Sequence, residues 1–433
     1  MSNYQQAKNV CITILSGLTE SMNADLIKNT VENVKKLFPL PENELTTLRE
    51  ELESLYTVFS DQYRILDAEE DKKENSLDKK CKSRNIMEIL ESLQKVAGKK
   101  NYAPDTLNKM DNLTDDILDR LIRPGSNIPF DKRGLIVGHV QSGKTGNYIG
   151  LICKAADAGY RLIIVLAGIH NSLRSQTQLR IDEGFLGFDT QQARSITQTT
   201  NRIGVGKIDP NLVAHSLTTN EINGDFNRRA SETSGINIRS NDPIVLVIKK
   251  NASVMKNLLG WLATRAETME DGKKQIKNLP LLVIDDEADN ASINISKNYV
   301  SGINACIRSM LKLFEQSAYI GYTATPYANI FVKQYTDEDV KGLDYNVHNI
   351  PLSLGNDIFP KNFIVNIPAP SNYIGPEKIF GIETIESIED YDNPSHPLND
   401  LIVPVDDYLN YIKDGHKMDD EKPDELLQAF IKQ

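Results

Sequence analysis

The sequence predicts an α/β protein: a parallel sheet with flanking helices, preceded by an all-helical N-terminal domain. Three observations predict it. Short, wholly apolar runs alternate with helical patterns from residue 134 onward, the signature of parallel strands joined by crossover helices. Acidic or hydroxylic residues sit directly after two of those runs, at the strand ends where such sheets bind ligands. Residues 1–123, by contrast, carry the 3.6-residue periodicity of helices.

In that leading region Val10, Ile14, Leu15 and Leu18 form one helical stripe, and Leu45, Leu48, Leu52, Leu55 and Val58 another. Pro41 or Asn43 marks a helix start. The charge-rich run from Ala68 to Arg84 reads as a solvated helix face or connector. Helices over 86–96 and 113–122 lead to Arg123-Pro124-Gly125, a break taken as the domain boundary. No chemistry is visible before it.

The segment Gly134 to Thr145, GLIVGHVQSGKT, then runs an apolar strand into GxxxxGK[ST]. This is the pattern of a phosphate-binding loop. Gly138 and Gly143 let backbone amides curl around a polyphosphate, with Gln141 and Ser142 inside the loop. Lys144 supplies a point charge, and Thr145 a hydroxyl for Mg2+. Tyr148, Ile149, Ile152 and Ala156 give the following helix its apolar face.

Leu162 to Leu166 is the second strand, followed by a helix through Leu179 to Ile181. Residues 184–242 are polar and turn-rich, and read as an insertion in the sheet. Ile244 to Ile248 and a helix containing Val254, Leu258, Leu259 and Leu262 resume the repeat. Trp261 falls on that helix's apolar face, which favours a core role over base stacking.

Leu281 to Asp289, LLVIDDEAD, is the second motif: four apolar residues and then a run of acids. Asp286 is the candidate Mg2+ ligand, and Glu287 the residue that orients or deprotonates the attacking water. Asp285 and Asp289 compete for these roles. A third strand, Ala318 to Tyr322, opens into Thr323-Ala324-Thr325-Pro326.

The ordered set GHVQSGKT, IDDEAD and TATP resembles the first RecA-like lobe of superfamily 2 helicases and translocases. That resemblance implies ATP and Mg2+ as cofactors and a linking role for Thr323 and Thr325 between the nucleotide and nucleic-acid sites. It also implies completion by a second RecA-like lobe or partner subunit. His170, which follows the second strand, matches a nucleic-acid-contacting position of that superfamily, and a structural hydrogen bond is the equal alternative. Arg174, Gln176 and Arg180 lie at the same strand end and are candidates for a phosphate backbone. Arg265 and Arg308 sit in amphipathic helices without a motif around them.

More narrowly, residues of about 124–380, including the KKN at Lys249 to Asn251 and TATPYANIF, resemble the helicase-like portion of the endonuclease-type family bearing the Z-one domain. Members join this ATPase to further C-terminal regions, and are associated with anti-phage or restriction-like conflict systems. The expectation is therefore a RecA-like P-loop ATPase lobe over residues 124–335. An irregular acidic extension over 336–433 would begin a truncated or missing C-terminal region. Function would be ATP hydrolysis coupled to DNA translocation or remodelling, DNA being favoured over RNA. A nuclease module would lie elsewhere in a longer protein or complex. The alternative is a nucleotide-dependent protein-interaction switch without motor activity.

Composition bounds these expectations. The net charge of −11 is carried mainly by residues 376–433, which leaves the lobe near neutral, so charge alone selects no nucleic-acid partner. The four cysteines contain no CxxC pair, and the six histidines are scattered, which supports neither zinc nor a disulfide framework. No apolar run approaches the ~20 residues that span a bilayer. A cytoplasmic protein with no membrane partner is expected.

Overall fold

The computed structural model describes residues 3–16, 24–56, 63–68, 104–122, 124, 128–138, 143–209, 213–270, 272–294, 300–332 and 344–367. All of them belong to the first of two compact units, Met1–Asn372. Most of the charge-rich run, the helix expected over 86–96 and most of the acidic extension lie outside the described residues.

Three N-terminal helices, α1 (Asn3–Ser16), α2 (Ala24–Lys35) and α3 (Glu42–Tyr56), pack on a small core of their own. Cys11, Leu15, Ile27, Val31, Leu48 and Leu52 form it. The buried face of α1 is Ala7, Cys11 and Leu15, one residue every fourth, rather than a stripe through Ile14, which is 43% exposed.

The main body is an eight-stranded sheet. Its strands are β1 (Arg64–Asp67), β2 (Phe130–Gly138), β3 (Leu162–Ala167), β4 (His215–Ser216), β5 (Ile244–Ile248), β8 (Leu281–Asp286), β9 (Gln316–Thr323) and β12 (Phe363–Ile367). Two-stranded ribbons form from β6 (Glu267–Thr268) with β7 (Lys274–Gln275), and from β10 (Asp344–Val347) with β11 (Ile350–Ser353). The order across the sheet is β1-β12-β2-β9-β8-β3-β5-β4. Every neighbouring pair is parallel except β1 with β12.

Helices cover both faces, which is why the strands read as unbroken apolar runs. The helices around the sheet are α4 (Pro104–Leu118), α5 (Lys144–Ala158), α6 (Asn171–Ile181), α7 (Arg228–Thr233), α8 (Ala252–Ala263), α9 (Gly302–Leu313) and α10 (Tyr327–Ile330). Strand alternation divides the core in two. Ile163, Val165, Val245, Val247, Leu282 and Ile284 face the side of α4 and α5. Leu162, Ile164, Leu246, Leu281 and Val283 face the side of α8 and α9, where Trp261 is buried against Phe226.

Two expectations are corrected here. Residues 1–123 are not helical throughout: Arg64–Asp67 is an edge strand of the sheet, and α4 packs against α5, with Lys154 of α5 ion-paired to Asp111 and Asp115. Nor is the stretch after 335 irregular from its start. Phe363–Ile367 lies directly beside the strand of the phosphate-loop motif, burying Phe363, Val365 and Ile367. Gly134 makes room for it, since a Cβ there would lie 2.2 Å from the Phe363 ring. β1 was hidden because it is a short edge strand, and β12 because its five residues lie far along the chain from the strands they join.

A buried acid gathers several residues around the insertion over 184–242. Asp182, which opens a single π turn (Asp182–Leu186) after α6, accepts from Gln178 Nε2, Thr190 Oγ1, the Thr190 amide and Asn220 Nδ2. Burial pushes its carboxyl up to about 6. No described helix is long and apolar enough to cross a membrane.

Candidate nucleotide and metal site

The site gathers at the carboxyl ends of β2, β9 and β8. Strand β2 stops at Gly138 and α5 starts at Lys144, with Gly143 in the left-handed region at φ 81°. That backbone suits glycine. Residues 139–142, and with them Gln141 and Ser142, lie outside the described residues. Lys144 Nζ donates to the Gly138 carbonyl at 2.7 Å, closing the two ends of the loop on each other. Burial lowers the Lys144 pKa, and the charges of Asp286, Asp289 and Glu287 oppose that shift.

Strand parity separates the acids. Asp285 continues the face of Leu281 and Val283, and is fully buried there. Lys250 Nζ lies 2.7 Å from its Oδ1, and Tyr319 donates to Oδ2 at 2.6 Å. Asp285 is thus a structural anion. Asp286 points to the opposite face, towards α5, where the Tyr148 hydroxyl donates to Oδ2 at 3.4 Å. Burial raises the Asp286 pKa, and neighbouring Glu287 adds to it. The same Tyr148 hydroxyl contacts Thr145, so one tyrosine spans the motif hydroxyl and the motif carboxylate.

Glu287 follows with φ 54°, a left-handed backbone on a non-glycine residue. Its strain is of order 1–3 kcal/mol, which surrounding structure must offset. Lys250 does so: besides Asp285, its Nζ donates to the carbonyls of Glu287 and, at 3.0 Å, Asn290. The Glu287 side chain is exposed. Gly168, at the end of β3, flanks it, with the ideal Cβ position there 3.6 Å from Glu287 Oε2.

Asp289 has another task. Its Oδ1 accepts from Thr323 Oγ1 at 2.7 Å, and its Oδ2 accepts from Thr325 Oγ1. Strand β9 lies between β2 and β8, so its threonines stand between the lysine loop and the acids. Next to them Tyr322 donates to Asn147 of α5 at 2.7 Å.

At the α6 end the candidates divide. His170 precedes the helix and is exposed, as are Gln176 and Arg180. Arg174 is not a surface contact: it is fully buried, and donates to the carbonyls of Thr219, at 2.7 Å, and Glu221. Its helix period places it on the inner face of α6, where it pins the insertion. Arg308 is likewise buried, donating to the Gly355 carbonyl at 2.7 Å, and Arg265 stacks 3.7 Å from the Trp261 ring centre. Sequence reasoning passed over Lys250, Tyr148 and Tyr319. The visible signal for Lys250 was a pair of lysines, Lys249 and Lys250, directly after an otherwise apolar strand.

The donor set of Thr145 hydroxyl and Asp286 carboxylate consists of hard oxygens suited to Mg2+, which keeps few protein ligands and takes the rest from phosphates and water. Among the described residues no group of three or more His, Cys, Asp or Glu side chains converges on a metal position. Comparison with protein-family models and with curated proteins gives no match to this chain.

Proposed function

We propose that this chain is the ATP-binding, RecA-like lobe of a helicase-like ATPase acting on nucleic acid, with DNA the favoured substrate. The observation that carries this reading is the convergence at neighbouring strand ends of Lys144, Thr145 and Asp286, joined through Asp289 to Thr323 and Thr325.

In this reading Lys144 leaves the Gly138 carbonyl and binds the β and γ phosphates of ATP, while Thr145 and Asp286 hold Mg2+. The ion supplies charge neutralisation at the transferring phosphoryl group. Glu287, exposed beside Gly168, orients and deprotonates the attacking water. Asp289 transmits any shift of the acid turn to Thr323 and Thr325. Asp286→Asn therefore abolishes the Mg2+ dependence of nucleotide binding.

Arg265 and Arg308 are occupied within the fold, which supports a γ-phosphate arginine supplied by a second lobe or partner subunit. Such an arginine is worth about 10³- to 10⁵-fold in rate. A nuclease module would belong to the wider complex. The alternative, a nucleotide-dependent protein-interaction switch, is favoured by the apolar surface just after Thr325, where Tyr327 is 72% and Phe331 83% exposed.

ATP hydrolysis measured with and without single- and double-stranded DNA and RNA tests the reading. Weak basal turnover, raised by DNA once the second lobe is added, is expected. Nucleotide-dependent protein binding indifferent to nucleic acid would replace the motor by the switch. Absence of ATP binding would end both.

A further inference from the structure

Arg180 stands against the hydroxyl that the nucleotide reading assigns to Mg2+. Its Nη1 donates to Thr145 Oγ1 at 3.1 Å, and its charge acts on the Tyr148 hydroxyl, which in turn reaches Asp286 Oδ2 at 3.4 Å. The guanidinium therefore lies on one of the two oxygens that the nucleotide reading assigns to Mg2+, and Tyr148 links that neighbourhood to the other. Among the described residues it makes no ion pair, although it is one of the most strongly charged donors available to a carboxylate. The Arg180 side chain is exposed and long, so it can leave without disturbing the core.

We propose that Arg180 is a built-in competitor for the metal: its guanidinium caps the Thr145 hydroxyl when no metal is bound, and must withdraw before Thr145 can ligate Mg2+. The inference rests on the nucleotide and metal reading above. A hydroxyl oxygen has two lone pairs, but a cation held on one repels a divalent cation approaching the other, and the repulsion acts over a few ångströms in a half-buried site.

The competitor is also tethered. Arg180 shares α6 with Arg174, Ser175 and Gln178, which bind Thr219, Asn220 and Thr218 of the insertion. These bonds fix the helix that carries Arg180 against residues 218–220.

The experiment is equilibrium binding of a fluorescent ADP analogue to the full 433-residue chain over a Mg2+ titration. Wild type, Arg180→Gln and Arg180→Lys are compared. Arg180→Gln lowers the half-saturating Mg2+ concentration roughly tenfold, the scale of removing one like charge beside a divalent ion. Arg180→Lys keeps the cation and stays near wild type, and binding in EDTA is the same in all three. An unchanged or raised Mg2+ requirement in Arg180→Gln overturns the inference, as does Arg180→Lys behaving like Arg180→Gln. In those cases Mg2+-dependent binding by the wild type leaves the nucleotide reading standing. If the wild type binds no ADP at any Mg2+ concentration, both fall together.

Discussion

Lys250 and Asp285 form a fully buried ion pair, 2.7 Å apart, at the root of the acidic turn. The lysine lies two residues beyond β5, the aspartate lies in β8, and β3 runs between those strands. The pair locks the turn's backbone from beneath, which leaves Asp286, Glu287 and Asp289 for the face above.

Removing one partner strands the other charge. Lys250→Met is expected to cost about 3–5 kcal/mol of stability in urea unfolding, the range for an orphaned buried ion. The double variant Lys250→Met with Asp285→Asn recovers part of it. A Lys250→Met protein as stable as wild type would mean that the turn is held otherwise.

On the proposed nucleotide reading, Lys144 acts on ligand rather than on fold. Lys144→Ala loses one hydrogen bond to Gly138, at a net ~1 kcal/mol, whereas its ATP affinity falls by about 2 kcal/mol or more, because charge-assisted phosphate contacts are the strong ones. Calorimetric titration with ATP reads the second effect, and thermal unfolding reads the first.

Glu287 carries backbone strain together with its proposed chemistry. Glu287→Gln preserves Mg2+-ATP binding and abolishes turnover in the complete machine. Glu287→Gly is likewise inactive, yet gains up to ~1 kcal/mol in thermal unfolding, since glycine adopts φ 54° without cost. A Glu287→Gly variant less stable than Glu287→Gln would show that the side chain, not the backbone, sets the local energetics.

Gly134 reports on β12. Gly134→Ala drives a methyl into the buried Phe363 ring, and overpacking of this kind costs roughly 1–3 kcal/mol. Adding Phe363→Leu to Gly134→Ala relieves the clash. Chemical denaturation of the two variants checks it, with equal stability of Gly134→Ala and wild type as the contrary result.

Asp182 supplies a pH dependence. Its folded carboxyl is raised to about 6 against about 3.9 in the unfolded chain. Its contribution is therefore complete below pH ~4, and is lost as pH rises through 6, because the native state then binds the proton more tightly than the unfolded state. Asp182→Asn flattens the wild-type decline in stability across this window, measured by urea unfolding at stepped pH.

Much of the sheet was legible in the chain. Leu162–Leu166, Ile244–Ile248 and Leu281–Ile284 are apolar on both faces, a pattern that only a covered parallel strand sustains over such short lengths, while DDEAD marks the end of the last of them and GxxxxGKT the end of β2. Period-two alternation already contains the answer to which aspartate faces α5, once the sheet's sides are known. Tertiary structure alone decided the rest. Local pattern could not show that Arg64–Asp67 and Phe363–Ile367 complete the sheet, since partners as far apart in the chain as Ile65 and Val365 leave no periodic trace in either segment. Nor could it tell Arg174 from Arg180. Both are arginines on one polar helix, but one faces inward to the carbonyls of the insertion and the other outward to Thr145, a distinction that exists only when α5, α6 and the insertion pack together.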